Sequence, residues 1–331
     1  MKWSEKRTLG ELVTSFILEF DEFVSAHRPQ RLLQADHVHS KMPAVPDTGD
    51  LGRKLIEITP DQQLGPLKFQ FLDGWVRIKH EKSHPSDQDL RNVKLAQRAL
   101  ATEGALLVEQ LEDSNCDRRL VEIIRDVNGK IADEVDVIAL GIVNLSCVQM
   151  AARFENELPD VISARLDGFS AGVGLFVGQY PAWQRFVENA ASTDGDLLDV
   201  KSIYKAGSAL IPHLKASTEL VDPEVPRSIE WILEAISNPR ASSKRALFGA
   251  IRTLENLLAL IFTEFAALLG SASAGVKTGT RRAIATIAGG ALLLAAATTA
   301  TNISPAAGRI AKIDWLEKAA KIVKRGLNDA D

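Results

Sequence analysis

The sequence predicts a mainly α protein: a multi-helix bundle with one small β-hairpin at about residues 67–80 and a C-terminal apolar helical hairpin. Three observations carry this expectation. Apolar residues recur at three- and four-residue steps through most of the chain, the period of a helix with one buried face. The pattern changes to alternation only around Asp73-Gly74. From Ala283 to Ile303 no residue carries a charge.

Taken in order, residues 8–33 place Leu9, Leu12, Val13, Phe16, Ile17, Phe20 and Phe23 on one helical face. Glu11, Glu19, Asp21 and Glu22 interrupt the apolar run, which argues against a secretory signal. Residues 34–52 carry two prolines and little periodicity and read as a loop, with a short helix at about 51–58. Leu67, Phe69 and Phe71 then alternate with polar residues, as do Val76 and Ile78 after the turn. Asp-Gly between two alternating runs is a strong hairpin signal, because both turn positions need positive φ. A lone hairpin is marginal in water, so it must lie on helices.

Ser86-x-x-Asp89 resembles a capping box opening a helix that carries Leu90, Val93, Ala96, Leu100, Leu107 and Leu111. Asp113-Ser114-Asn115 ends it. Further helices are expected at about 117–128 and 132–156, and the uncharged stretch 137–152 predicts burial on most sides. Gly168, Gly172, Gly174 and Gly178 stand among apolar residues over 160–191. Their spacing is not that of a dinucleotide-binding loop, and the expected role is close helix packing. Helices at 197–217 and 227–237 follow, separated by Asp222-Pro-Glu-Val-Pro226. In all, roughly nine helices are expected in the body, before the C-terminal hairpin.

Residues 244–269 form one long apolar pattern, about 39 Å at the helical rise. A Gly/Ser/Thr-rich loop at 270–280 leads to the charge-free run 283–303, bounded by Arg281 and Arg282 before it and Pro305 and Arg309 after it. About 20 uncharged residues meet the length of a membrane span. Many are Ala and Thr, which contribute little to insertion. The same run suits a central helix of a bundle. The residues expected to face lipid, if the hairpin inserts, are Leu257, Ile261, Phe265, Ile284, Ile287, Leu292, Leu293 and Leu294. Glu264 would then need a partner helix or water. A last amphipathic helix at about 309–325 places Lys312, Lys318, Lys321, Lys324 and Arg325 off its apolar face, and packing on its own protein is favoured over an interfacial location.

The chain has 331 residues, 39 Lys plus Arg against 43 Asp plus Glu, and a net charge of -4, which excludes a globally basic nucleic-acid binder. Charge is uneven: residues 277–331 carry +5 and the remainder -9. The expected division is therefore an acidic helical body, 1–240, and an apolar hairpin with a basic amphipathic tail, 241–331. Two cysteines, Cys116 and Cys147, exclude a disulfide framework and fit a reducing compartment.

The one literal catalytic motif is His80-Glu81-Lys82-Ser83-His84, an HExxH. On a helix its two histidines share a face and bind Zn²⁺, with the Glu as general base. Here it follows a strand, and Pro85 disfavours a helical His84. His37 and His39 form a second, weaker pair. Arg118 and Arg119 stand close enough to Cys116 in sequence to activate it, but no His base is near. No cofactor is expected.

The reading preferred from sequence is a membrane-associated helical protein, a membrane-perturbing or pore-forming effector whose hairpin inserts. Its partners would be a lipid bilayer or a protein, with self-association, no nucleic acid, and a location in the cytoplasm or at the cytoplasmic face of a membrane. The alternatives are a soluble helical interaction or scaffold protein and a zinc-dependent hydrolase built on His80 and His84.

Overall fold

In the computed structural model the described residues are 48–85, 90–132, 136–273 and 280–328, with the backbone alone for 48–51, 266–287 and 327–328. They belong to one compact unit, Val45–Asp331, and the boundary expected at 240/241 falls inside it. The helix expected at 8–33, the capping box at 86–89 and most of the connection 270–280 lie outside the described residues.

The chain is mainly α with a small hairpin, as expected. Helix α1 is Thr48–Ile58. Strands β1 (Phe69–Leu72) and β2 (Trp75–Ile78) follow, antiparallel, with Phe69 opposite Ile78 and Leu72 opposite Trp75. Asp73 and Gly74 take φ of 55° and 84°, the two left-handed positions that this two-residue turn requires. Both edges of the hairpin are covered. The Gln62 side chain exchanges two 2.7 Å hydrogen bonds with the backbone of Phe69. On the other edge Val76 donates to Leu220 O at 2.7 Å and accepts from Asp222 N at 3.0 Å. Pairing of this kind satisfies strand edges that would otherwise offer themselves to another chain.

Helices α2 (Leu90–Glu112), α3 (Arg118–Ala132), α4 (Val137–Arg153), α5 (Asp160–Val177) and α6 (Pro181–Ala191) come next. A single 3₁₀ turn, Glu155–Glu157, separates α4 from α5. Asp136 caps α4 by accepting from Ile138 N and Ala139 N. Pro181 opens α6 at a position where its missing N–H costs nothing. Helix α7 (Leu197–Ala216) starts with a capping box of Asp196 and Asp199. Helix α8 (Glu224–Glu234) begins within the segment expected as a linker, because Pro223 and Pro226 fall at its N-cap and first turn.

Helix α9 (Lys244–Ser273) is the centre of the unit, packing against α1, β1, α4, α6, α7 and α8. Leu247, Phe248, Ile251, Leu254, Leu257, Leu258, Ile261, Phe262 and Phe265 are all 4 % exposed or less. Helix α10 (Thr280–Ala311) lies against α9, α7 and α11 (Trp315–Asn328). It runs straight through Pro305, where the sequence predicts an end. The chain turns instead at Lys312, which has φ 55°. Eleven α-helices are thus described, α1 to α8 in the body and α9 to α11 after it.

The apolar core carries a few polar clamps. Asn256 on α9 accepts from Gln63 N at 2.7 Å and donates to Gln63 O and Leu67 O at 2.9 Å, fixing the approach to β1. Glu255, 3 % exposed, is paired with Arg252 and accepts from Trp315 Nε1 at 3.3 Å, tying α11 to α9. Asp199, also buried, pairs with Arg309 and ties α7 to α10.

Candidate binding cleft

Glu224, Arg227 and Trp231 stand at i, i+3 and i+7 on α8 and so share one face. That face looks into a cleft of about 870 Å³, walled by α3 through Glu122, Arg125, Asp126 and Lys130, and by His80, Glu81 and Lys82 after β2. A second cleft of about 990 Å³ lies on the other side of Arg227 and Trp231, against α7. Its lining is more apolar and includes Met150, Tyr204, Ile211, Pro212 and Leu214. Glu122, Arg227 and Trp231 line both clefts, so the two adjoin.

His80, Glu81 and Lys82 of the HExxH line the first cleft, while its second histidine, His84, is exposed and is not part of that lining. Residues 79–85 are not helical, in keeping with the restriction that Pro85 places on His84. His80 Nε2 stands 3.5 Å from Glu224 Oε2. Glu81 is turned towards Lys68 at 2.9 Å and Lys79 at 3.0 Å. The hydrogen bond from Lys68, assisted by Lys79, holds its carboxyl below the usual range against the opposing effect of burial. Among the described residues no group of three His, Cys, Asp or Glu is placed to hold a metal ion.

The cysteines are quiet. Cys147 is fully buried, and desolvation pushes its thiol to about 12. Cys116 is half-buried with Sγ 3.5 Å from Leu111 O, while the neighbouring Arg119 and Arg118 pair with Asp117 and Glu122.

Of the residues expected to face lipid, Leu257, Ile261, Phe265, Leu292 and Leu293 are buried within the protein, and Leu294 is 37 % exposed. Ile284 and Ile287 lie on α10. Among the described residues one helix, Lys244–Phe265, is long and apolar enough to cross a membrane, and 89 % of its most apolar window is buried. The charge-free run that the sequence singles out belongs to its neighbour. Helices α5 and α6 reach that apolarity only as a pair, bent by 97°. Glu264 is half-buried. In the tail, Lys312, Lys318, Lys321 and Arg325 are exposed and Lys324 donates to Thr301 Oγ1 at 3.0 Å. Lys321 also pairs with Glu317 at 2.6 Å and Lys318 with Asp314 at 3.7 Å. The apolar face of α11 is spent on the protein, with Trp315, Leu316, Ala320 and Val323 all buried.

Sequence reasoning missed the cleft. The signal for it was the Glu224/Arg227/Trp231 spacing in α8; a partner wall contributed by α3, a hundred residues away, has no local signature. No family model, curated protein or solved structure matches the chain.

Proposed function

We propose that this chain is a helical binding protein, with the α9–α10 hairpin as its structural core and the joined cleft at Trp231 as its recognition surface. The observation that carries the reading is the burial of α9. Its apolar side chains from Leu247 to Phe265 are already buried, with six elements besides α10 packed against the helix, and two of its polar ones, Glu255 and Asn256, are bonded to the rest of the molecule. Insertion of α9 into a bilayer would break those bonds and leave a carboxylate and an amide in lipid, where a central acidic residue costs about 3 kcal/mol. The positive tail does not oblige a membrane either, because several of its lysines are engaged within the protein.

The test is amide hydrogen exchange of the full chain, alone and with phosphatidylglycerol vesicles. The binding reading expects α9 amides among the slowest to exchange and unchanged by lipid. Loss of their protection in the lipid sample, together with retention of the protein in carbonate-washed vesicles, would replace this reading with the membrane-perturbing one.

A further inference from the structure

Helix α5 carries two apolar faces, and only one of them is used within the chain. Leu166, Phe169, Val173, Phe176 and Val177 are buried. Val161, Ala164, Gly168, Ala171 and Leu175 form an exposed stripe. Its two ends, Val161 and Leu175, are 71 % and 75 % exposed. The stripe advances by alternating steps of three and four residues, the seam by which one helix receives another in a coiled coil.

Two glycines on this side have no packing role within the chain. A Cβ at Gly168 or at Gly174 would meet nothing within 4 Å. Glycine is the poorest helix former after proline, so local propensity does not ask for it either. What glycine does permit on an exposed helix is the close approach of a second backbone.

The order of sizes along the stripe selects the occupant. Val161 and Leu175 stand at equal distances on either side of Gly168, with Ala164 and Ala171 between. The stripe therefore reads large, small, small, small, large in both directions, the self-complementarity that an isologous interface demands. Charge agrees. Arg165 is turned to Glu103 of α2 at 2.7 Å, which leaves Asp167 as the one charge beside the stripe between Val161 and Leu175. Asp167 shares a groove of about 370 Å³ with Arg245 from the start of α9, and neither forms an ion pair among the described residues. A twofold axis across an antiparallel helix pair keeps equivalent flanks on the same side. Two copies thus bring two carboxylates and two guanidiniums to the seam, with no net charge.

We infer that α5 pairs antiparallel with α5 of a second copy of this chain, about a twofold axis at Gly168. Val161 of one copy then lies beside Leu175 of the other, and the small residues between them let the backbones approach. No residue of α5 lines either cleft, so the pairing is independent of the cleft reading.

Sedimentation equilibrium of the full chain from about 1 to about 200 μM tests this. One helix face, about 27 Å long, is small for an interface, so a monomer–dimer equilibrium with Kd on the order of 10 μM is expected. Gly168→Leu, where a Cβ has open space in the monomer, and Leu175→Lys should each weaken dimerisation at least about tenfold. Both should keep a cooperative urea transition at about 1 μM. Asp167→Arg should weaken the dimer several-fold, and mixing that variant with Arg245→Asp should restore dimers. Oxidation reads the direction of pairing. Gly168→Cys should crosslink to itself, and the natural chain should not crosslink. Val161→Cys and Leu175→Cys should crosslink only when mixed, because equivalent copies of either stand about 21 Å apart along the helix. A chain that is monomeric at every concentration would overturn the inference; if it then floats with phosphatidylcholine vesicles, and Leu175→Lys does not, the face belongs to lipid instead. The inference would also fall to a dimer indifferent to Gly168→Leu and Leu175→Lys, or to Val161→Cys crosslinking to itself.

Discussion

Asp136 caps α4 with its carboxylate while losing most of its contact with water, and these two roles pull its ionisation in opposite directions. Desolvation is the larger and raises its pKa to about 6; the bonds from Ile138 N and Ala139 N oppose it, and nearby Glu81 adds to the rise. The residue keeps some exposed area, but the carboxyl group itself is covered. A carboxyl whose folded pKa lies above its unfolded value binds its proton more tightly when folded. Its ionisation therefore costs stability above pH 6, by up to about 3 kcal/mol, and that cost is relieved as pH falls towards 4. Asp136→Asn keeps an acceptor for the cap and abolishes the titration. Urea unfolding at pH 7.5 and pH 5 should show the natural protein gaining about 1 kcal/mol more than the variant on acidification. Parallel behaviour of the two would mean that Asp136 is solvated. Asn256 makes the opposite case, a buried polar group fully repaid. It holds one N–H and two carbonyls of residues 63–67, and no water reaches it. Asn256→Ala strands all three partners and should cost about 3 kcal/mol in the same measurement. A loss below about 1 kcal/mol would show that the segment finds other partners.

At the scale of elements, the β-hairpin depends on the turn it is built around. Gly74 has φ 84°, which an L side chain adopts only with strain, and open space around its Cα position leaves that strain as the whole effect. Gly74→Ala should therefore destabilise by about 1 kcal/mol, read as a lower urea midpoint at unchanged slope. A changed slope would mean that the hairpin has melted from the rest. This turn was legible in the sequence because Asp-Gly acts locally. So were the helices with strong periodicity, such as α2, α7 and α9. What was not legible depended on distant neighbours. The sequence predicts a helix end near Pro305, but α10 packs against both α7 and α11 and continues to Ala311. Gly168, Gly172, Gly174 and Gly178 all read as close-packing positions, yet only Gly172 meets a distant side chain, with a Cβ 2.9 Å from Leu100. The glycine that matters most for packing is Gly141, where a Cβ would sit 2.2 Å from the Trp183 ring. Nothing in the sequence around 141 announces a tryptophan forty residues later. The candidate cleft is a similar case. Its α8 face has a periodic signature, but its other walls come from the segment after β2, from α3 and from α7.

For the whole molecule, the question is whether residues 241–331 form an appendage or a core. Composition favours an appendage, since this segment is basic and apolar and the rest is acidic. Packing favours a core. Ten large side chains of α9, from Leu247 to Phe265, are 8 % exposed or less and are covered by elements from both ends of the described chain. At about 2 kcal/mol for each fully buried apolar side chain, α9 alone accounts for about 20 kcal/mol of burial. Net stability of a domain is only about 5–15 kcal/mol. The remaining elements cannot make up such a loss, because the faces of α1, α6 and α8 that meet α9 would be opened to water. A chain truncated at residue 240 should therefore lose its cooperative urea transition and aggregate, while the full chain unfolds in one step by both fluorescence and circular dichroism. The decisive comparison is with a milder change. Leu258→Ala removes one side chain from the middle of α9, is expected to cost about 3 kcal/mol, and should leave the transition cooperative. If the truncated chain instead unfolds cooperatively with the stability of the full one, the acidic body is a domain in its own right. The hairpin would then be free of it, and bilayer insertion would no longer have to break the core apart.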